Sequence, residues 1–181
     1  TLANRSAKFT FSGVSSHAAS APDRGRSALD AVEAMNFMVN LLREHVPTST
    51  RLHYVITNGG SAPNVVPNTA QSFYYVRHPN ETTLREIWDR VMATAEAAAV
   101  GTGTSMSYEI IHGNYSVLPN DTLAKVMHAK LSSVGGVEYS EADEVFAAEI
   151  SKTLPTGAYT QGRAAEIKPF ETGQRGNGST D

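Results

Sequence analysis

The spacing of hydrophobic residues changes several times along the chain, and each change marks a different predicted element. Ala7, Phe9 and Phe11 alternate with polar residues, a period of two that predicts a half-buried strand. After a polar loop, Ser27 and Asp30 form an S-x-x-D pattern that predicts the start of a helix. Its apolar face is spaced in steps of three and four and is formed by Leu29, Val32, Met35, Val39, Leu42 and Val46.

The next stretch predicts two strands, a second helix and a fourth strand. Residues 52–57 and 73–77 are rich in β-branched and aromatic side chains and predict two strands. Asn80 is positioned to cap a second helix, which Gly101 and Gly103 end. Alternation at residues 106–110 then predicts a fourth strand. The order βαββαβ predicts an α+β, ferredoxin-like sandwich: a four-stranded antiparallel sheet with two helices on one face.

The rest of the chain has a different character. Two further helices are predicted, over residues 121–134 and 140–154, and no strands accompany them. We therefore predict a sandwich domain over residues 1–115 and a second region over residues 116–181. The stretch from Pro155 onward has few apolar residues and buries little surface by itself. We expect the second region to be part of a larger domain, cut from a longer protein.

Composition excludes several classes of function. A net charge of −3 over 181 residues gives no basic field, so no nucleic-acid partner is expected. No apolar run reaches the roughly 20 residues of a membrane span, so no membrane partner is expected either. The absence of cysteine excludes disulfides and thiolate metal sites and fits a cytoplasmic protein.

His17 is the first candidate for chemistry. It follows the first predicted strand in a loop of small residues, from which an imidazole can project and donate a hydrogen bond to an oxyanion. An ordinary polar loop histidine has the same local sequence, and spacing alone favours that simpler interpretation.

Two further candidates follow. In the segment NGGSAPNVVP, Gly60 permits an unusual backbone conformation and Asn64 has an amide that suits a carboxylate or carbonyl. Asn64 could equally satisfy backbone groups in its own turn. Arg77, at the end of the third predicted strand, could hold a carboxylate with two hydrogen bonds or lie in a surface ion pair.

Known catalytic and metal-binding patterns are otherwise missing from the sequence. The six histidines form no H-x-x-x-H or H-E-x-x-H pattern, and neither a G-x-S-x-G nor a phosphate-binding loop motif occurs. We therefore expect no metal ligands within this chain.

Taken together, these segments resemble a known family. FTFSGVSSHAASAPDRGRSALDA, at residues 9–31, and NGGSAPNVVP followed by YYVR resemble the lid (dimerisation) domain of the dinuclear-metal amidohydrolases, which include aminoacylases, carboxypeptidase G and hydrolases of amino-acid conjugates. The similarity covers about residues 6–115. The later run LPNDTLAKVMHAKLSSVGG is similar to the aminobenzoyl-glutamate hydrolase branch of that family, at the point where the chain returns to its catalytic domain. The final Gly-Ser-Thr-Asp resembles the start of a catalytic-domain strand.

The resemblance implies a division of roles. His17 matches the lid histidine that stabilises the tetrahedral oxyanion in the partner subunit, and Asn64 and Arg77 match groups that hold the substrate carboxylate, with Gly60 beside them. It also implies two divalent ions, zinc or manganese, held by residues outside this chain, a homodimer formed through the lid, and an N-acyl amino acid substrate. We expect the isolated chain to be inactive.

One alternative remains, a stand-alone ferredoxin-like binding or dimerisation module without catalysis, since the fold serves many functions. RNA binding by the same fold is disfavoured, because the basic patch and the characteristic aromatic motif are missing. The amidohydrolase hypothesis requires that the His17 imidazole, the Asn64 amide and the Arg77 guanidinium gather on one sheet, at a site completed by another polypeptide.

Overall fold

A computed structural model describes residues 2–155 and 166–171 of the chain. The order of elements is β1 (Ala3–Ser12), α1 (Ala28–Leu42), β2 (Arg51–Asn58), β3 (Thr69–His78), α2 (Glu81–Thr102), β4 (Ser105–Asn114), α3 (Asp121–Val134) and α4 (Glu141–Ser151). Short 3-10 turns occupy Pro22–Arg24 and Arg43–His45. None of the helices in the described part is long and apolar enough to cross a bilayer.

The chain divides into two compact units, between Val117 and Leu118. The first holds all four strands with α1 and α2, and the second holds α3 and α4. The terminal Gly-Ser-Thr-Asp segment, expected to begin a strand, lies outside the described residues.

The first unit has the predicted ferredoxin-like architecture. Its sheet is antiparallel throughout, in the order β2-β3-β1-β4, so β1 and β3 are central and β2 and β4 are edges. Both helices cover one face. The buried core is formed by side chains of α1 and α2 and by the residues of β1 and β3 that point toward them, including Phe9, Phe11, Tyr74 and Val76.

Local sequence explains where the helices begin and end. The Ser27 hydroxyl accepts a hydrogen bond from the Asp30 amide at 3.1 Å, and the Asn80 side chain accepts one from the Thr83 amide at 3.0 Å. These side chains satisfy backbone donors that the first turn of a helix leaves open. Gly103 ends α2 in the left-handed conformation with φ 67°, which a glycine adopts without steric cost.

The strands are longer than predicted. The sequence pattern predicts a first strand from Ala7 and a third from Phe73, whereas β1 begins at Ala3 and β3 at Thr69. A register shift between Ser6 and Ala7, where β1 pairs with β4, leaves both residues buried and interrupts the alternation that marks a strand in sequence. Hydrogen bonding across the sheet, invisible in local composition, extends both strands.

The β1–β3 ladder continues past the ends of the two strands. The Gly13 amide donates to the Asn68 carbonyl at 2.9 Å, and the Val66 amide donates to the Ser16 carbonyl at 2.9 Å. Two long loops, each too irregular to be predicted as a strand, are therefore held side by side. We call residues 13–18 and 58–68 the paired loops.

Gly60 gives the second of the paired loops its shape. Its φ is 104°, a conformation that residues with a Cβ rarely adopt, and a Cβ built there would lie 2.7 Å from Pro67 Cγ. The neighbouring Gly59 has no such requirement, since a Cβ there would be 3.7 Å from Leu29 Cδ1, an ordinary contact.

The two glycines form a matched pair for mutation. We expect Gly60→Ala to lower the free energy of unfolding by about 1–3 kcal/mol because it strains the backbone. The control Gly59→Ala should change it by no more than about 0.5 kcal/mol. Urea unfolding followed by fluorescence of Trp88, the only tryptophan, measures both. Equal stabilities for the two variants would show that the Gly60 conformation is not required.

Candidate functional site

His17 lies in the first of the paired loops, with its side chain exposed. An isolated antiparallel bridge to Val65 fixes its backbone. Its Nδ1 accepts hydrogen bonds from the backbone amides of Ala19 and Ser20, each at 3.2 Å. Because Nδ1 acts as the acceptor, the neutral ring carries its proton on Nε2. The local backbone thus selects a tautomer whose exposed nitrogen is a hydrogen-bond donor.

Asn64 lies in the second paired loop, next to the position that pairs with His17. Its carbonyl accepts from the Ala18 amide at 3.0 Å, while its side-chain amide makes no hydrogen bond to any residue of the described part. The polar role inside the turn belongs to Asn58, whose side-chain oxygen accepts from the Gly60 amide at 3.0 Å. The simpler interpretation of Asn64, that it satisfies its own turn, is therefore not the one observed.

Arg77 lies in the sheet and not in a loop. It is half-buried near the end of β3, on the open face of the sheet that no helix of this unit covers, and its guanidinium carbon is 5.1 Å from the centre of the Tyr75 ring. A cation–π contact of this kind orients the guanidinium.

The three candidate groups do not gather within one chain. His17 and Asn64 lie beyond the Ser12–Thr69 pair, whereas Arg77 pairs with Asn4. At about 3.3 Å per residue, the eight steps of β3 between these pairs separate the two positions by about 26 Å. Within one chain, Arg77 therefore lies apart from His17 and Asn64, because β3 runs away from the paired loops before it reaches this residue.

The end of the sheet near Arg77 holds two residues that the sequence did not single out. Arg51 pairs with Arg77 and His53 with Tyr75, so all four lie on the open face. Burial, together with the positive charges of Arg77, Arg43 and Arg51, lowers the pKa of His53 below its ordinary value. Only the register of β2 against β3 brings these residues together, and local sequence does not contain that register.

The side chains that could ligate a metal are scattered over the two units. Within residues 2–155 and 166–171, no group of three or more His, Asp or Glu side chains is close enough to hold an ion. The described residues therefore do not fit the two divalent ions that the resemblance implies, and the chemistry that these residues can supply is hydrogen bonding and positive charge.

Comparison with known proteins places this geometry in context. The chain is 43% identical over 155 residues to the B subunit of p-aminobenzoyl-glutamate hydrolase from Escherichia coli, covering 85% of this chain and 32% of that protein. It is 30% identical over 160 residues to the Xaa-Arg dipeptidase of Mus musculus, covering 88% of this chain and 36% of that one. The chain thus spans about a third of the length of these relatives.

Solved structures show the same fold. An aminobenzoyl-glutamate utilization protein from Klebsiella pneumoniae matches with a TM-score of 0.63 at 21% identity, over 76% of this chain and 35% of that one. A putative amidohydrolase/peptidase from Burkholderia cenocepacia matches with a TM-score of 0.61 at 24% identity, over 74% and 33%.

A family model also matches most of the first unit. It covers residues 4–103, from the start of β1 to the glycine that ends α2, and describes the peptidase dimerisation domain of the M20 family. The chain therefore belongs to the M20 peptidases and contains their dimerisation domain.

Proposed function

We propose that this chain is the lid and dimerisation domain of a metal-dependent amidohydrolase that cleaves the amide bond of an N-acyl amino acid. The observation that carries the proposal is the pairing of two loops that present the His17 imidazole and the Asn64 amide at adjacent positions. Aminobenzoyl-glutamate is the substrate proposed, from the name of the 43% identical relative. The proposed compartment is the cytoplasm.

The proposed role of His17 is to stabilise negative charge. Attack on an amide carbonyl creates an oxyanion, and a preoriented donor lowers the energy of that transition state. The Ala19 and Ser20 amides hold the ring in the tautomer that can donate from Nε2. Asn64, whose amide is not used by its own turn, is proposed to orient the substrate carboxylate or carbonyl.

Arg77 is proposed to act on the same substrate, but from the other subunit of a dimer than the one that supplies His17 and Asn64. Antiparallel pairing of an edge strand with its own copy, about a two-fold axis, brings opposite ends of two sheets together. If β2 is that edge, the Arg51 end of one strand lies beside the partner's Asn58 end. Arg77 pairs with Arg51, and Asn58 leads into the paired loops. The dimer would then join the Arg77 of one subunit to the His17 and Asn64 of the other.

Exposed apolar side chains support β2 as that edge, and β4 also carries two, Tyr108 and Ile110. Phe37 on α1 is 64% exposed, and Val55 on β2 is 55% exposed. Asn40, one helical turn after Phe37, donates to the Tyr54 hydroxyl at 3.4 Å, which places this side of α1 against β2. A strand edge flanked by exposed apolar helix residues suits burial against a second subunit.

The nucleophile and the ions lie outside this chain in the proposal. M20 peptidases are generally metal-dependent, and the remainder of the full-length enzyme would supply the metal-activated water. This chain alone should therefore show no amidase activity above background. The assay measures hydrolysis of aminobenzoyl-glutamate by the purified 181-residue chain, with the full-length enzyme as the positive control. Turnover by the isolated chain would overturn the proposed division of roles.

The β2 edge can be tested by placing a charge on it. In the full-length enzyme, Phe37→Glu should convert the dimer to monomer because it buries a carboxylate in an apolar interface. Val100→Glu, at a position on α2 that is 83% exposed, is the control and should remain dimeric. Size-exclusion chromatography with light scattering measures the mass.

Other outcomes of that measurement would change the proposal. A Phe37→Glu variant that stays dimeric would exclude the α1–β2 surface. A wild-type enzyme that associates only with a related second polypeptide would replace the homodimer by a heteromer, an assembly to which the A and B in the names of two relatives point. A wild-type dimer that hydrolyses no N-acyl amino acid would favour a non-catalytic dimerisation module.

Complementation between inactive subunits tests the composite site. In the full-length enzyme, His17→Ala should lower kcat by roughly 100- to 1000-fold, as for loss of one oxyanion donor. Arg77→Ala should also be severely impaired. The two variants are then mixed in equal amounts under conditions of subunit exchange. Half of the dimers should then contain one subunit of each variant, and each of these carries one intact site of its two. The mixture should therefore recover about a quarter of wild-type activity. If the mixture is no more active than its components, the three groups do not act across the interface.

A further inference from the structure

Arg51 and Arg77 form an unusual pair on the open face of the sheet. They are direct cross-strand partners in the antiparallel β2–β3 ladder, so their side chains leave the sheet on the same side. Like charges in this position destabilise a sheet. Two guanidinium groups at adjacent positions are well suited to bind a ligand that carries more than one negative charge.

The Arg51 side chain is held in place by its own loop. One terminal nitrogen, Nη1, donates to the Thr48 carbonyl at 2.9 Å and to the Thr50 carbonyl at 2.8 Å. No acceptor in the described part of the chain engages its Nε or Nη2. In any arginine, Nε and Nη2 form one edge of the guanidinium, and this edge can bind a carboxylate through two parallel hydrogen bonds.

A depression opens beside Arg51. Its volume is about 470 Å³, and its lining includes Arg43, Arg51 and His53, together with the apolar side chains of Val46 and Leu52. One acid, Glu44, also lines it and opposes an anion there. The lining carries two arginines against this one glutamate, so its net charge is positive. Burial lowers the pKa of His53, and the positive charges of Arg77, Arg43 and Arg51 lower it further. The lowered pKa favours a neutral His53, which can donate a hydrogen bond to a carboxylate.

We propose that Arg51 determines specificity for an acidic amino acid: it binds the side-chain carboxylate of an N-acyl glutamate or aspartate while Arg77 binds the α-carboxylate. The inference rests on the proposed function and adds the residue that selects the amino acid released. The two carboxylates of such an amino acid are a few bonds apart, and cross-strand neighbours have their Cβ atoms about 5 Å apart. A substrate ending in arginine would place a third guanidinium against this pair and should be rejected.

The test compares two substrates that differ by one charge. The full-length enzyme is assayed with an N-acyl glutamate and the isosteric N-acyl glutamine, and the ratio of their kcat/KM values is determined. We expect wild type to prefer glutamate and Arg51→Gln to lower that ratio by about 10- to 100-fold, the value of one hydrogen bond to a charged group. Arg51→Lys, which keeps the charge but not the two-nitrogen edge, should give an intermediate ratio.

A matched control distinguishes a loss of substrate recognition from a loss of the folded structure. Arg90 on α2 also uses Nη1 to bond a backbone carbonyl, that of His45 at 2.8 Å, and it lies outside the depression. Arg90→Gln should leave the glutamate-to-glutamine ratio unchanged. Thermal unfolding of every variant shows whether a lower activity reflects loss of the fold, which lowers both rates together and leaves their ratio intact.

The outcomes distinguish this inference from the function on which it rests. If wild type hydrolyses neither substrate nor any other N-acyl amino acid, the proposed function fails. If wild type hydrolyses both and Arg51→Gln leaves the ratio unchanged, the proposed function stands and the role of Arg51 is refuted. Faster cleavage of an N-acyl arginine than of the glutamate would also refute it.

Discussion

The antiparallel ladder between β1 and β3 determines where every candidate group lies. It pairs Asn4 with Arg77 at one end and Ser12 with Thr69 at the other, and its hydrogen bonds continue into the paired loops. A shift of one residue would move every side chain of a strand to the opposite face. The buried alternation of Phe9 and Phe11 against Tyr74 and Val76 prevents such a shift, because it would expose these side chains to water.

The two faces of the sheet have different roles. One is covered by α1 and α2 and holds the core, in which Phe9 contacts Tyr74 and Trp88. The other carries polar and charged side chains, among them Arg77 and Arg51. Polar and charged groups would be costly to bury beneath the helices without hydrogen-bond partners. The helices therefore provide the stability that allows the open face to hold groups suited to a substrate.

Much of the architecture could be predicted from sequence because it depends on local signals. The caps at Ser27 and Asn80 and the period of the helical faces identify α1 and α2, and the order of elements then leaves few topologies. Strand ends were less predictable, since pairing with neighbours, and not composition, extends β1 to Ala3 and β3 back to Thr69.

The site was only partly predictable for the same physical reason. His17 and Asn64 were found through their short motifs, but their adjacency depends on hydrogen bonds between distant loops. Arg77 was found as a strand-end charge, but its distance from the paired loops follows from the direction of β3. Arg51 has no local motif, and only its register against Arg77 distinguishes it.

A distance measurement in the assembled enzyme tests the central claim, that opposite ends of two sheets meet. Spin labels at exposed Ser61, in the second paired loop, and at exposed Thr48, next to Arg51, mark the two ends. Pulsed dipolar spectroscopy would compare the distance within one subunit with the distance between singly labelled subunits. The composite site predicts that the intersubunit distance is the shorter of the two. An intersubunit distance longer than the intrasubunit one would contradict it.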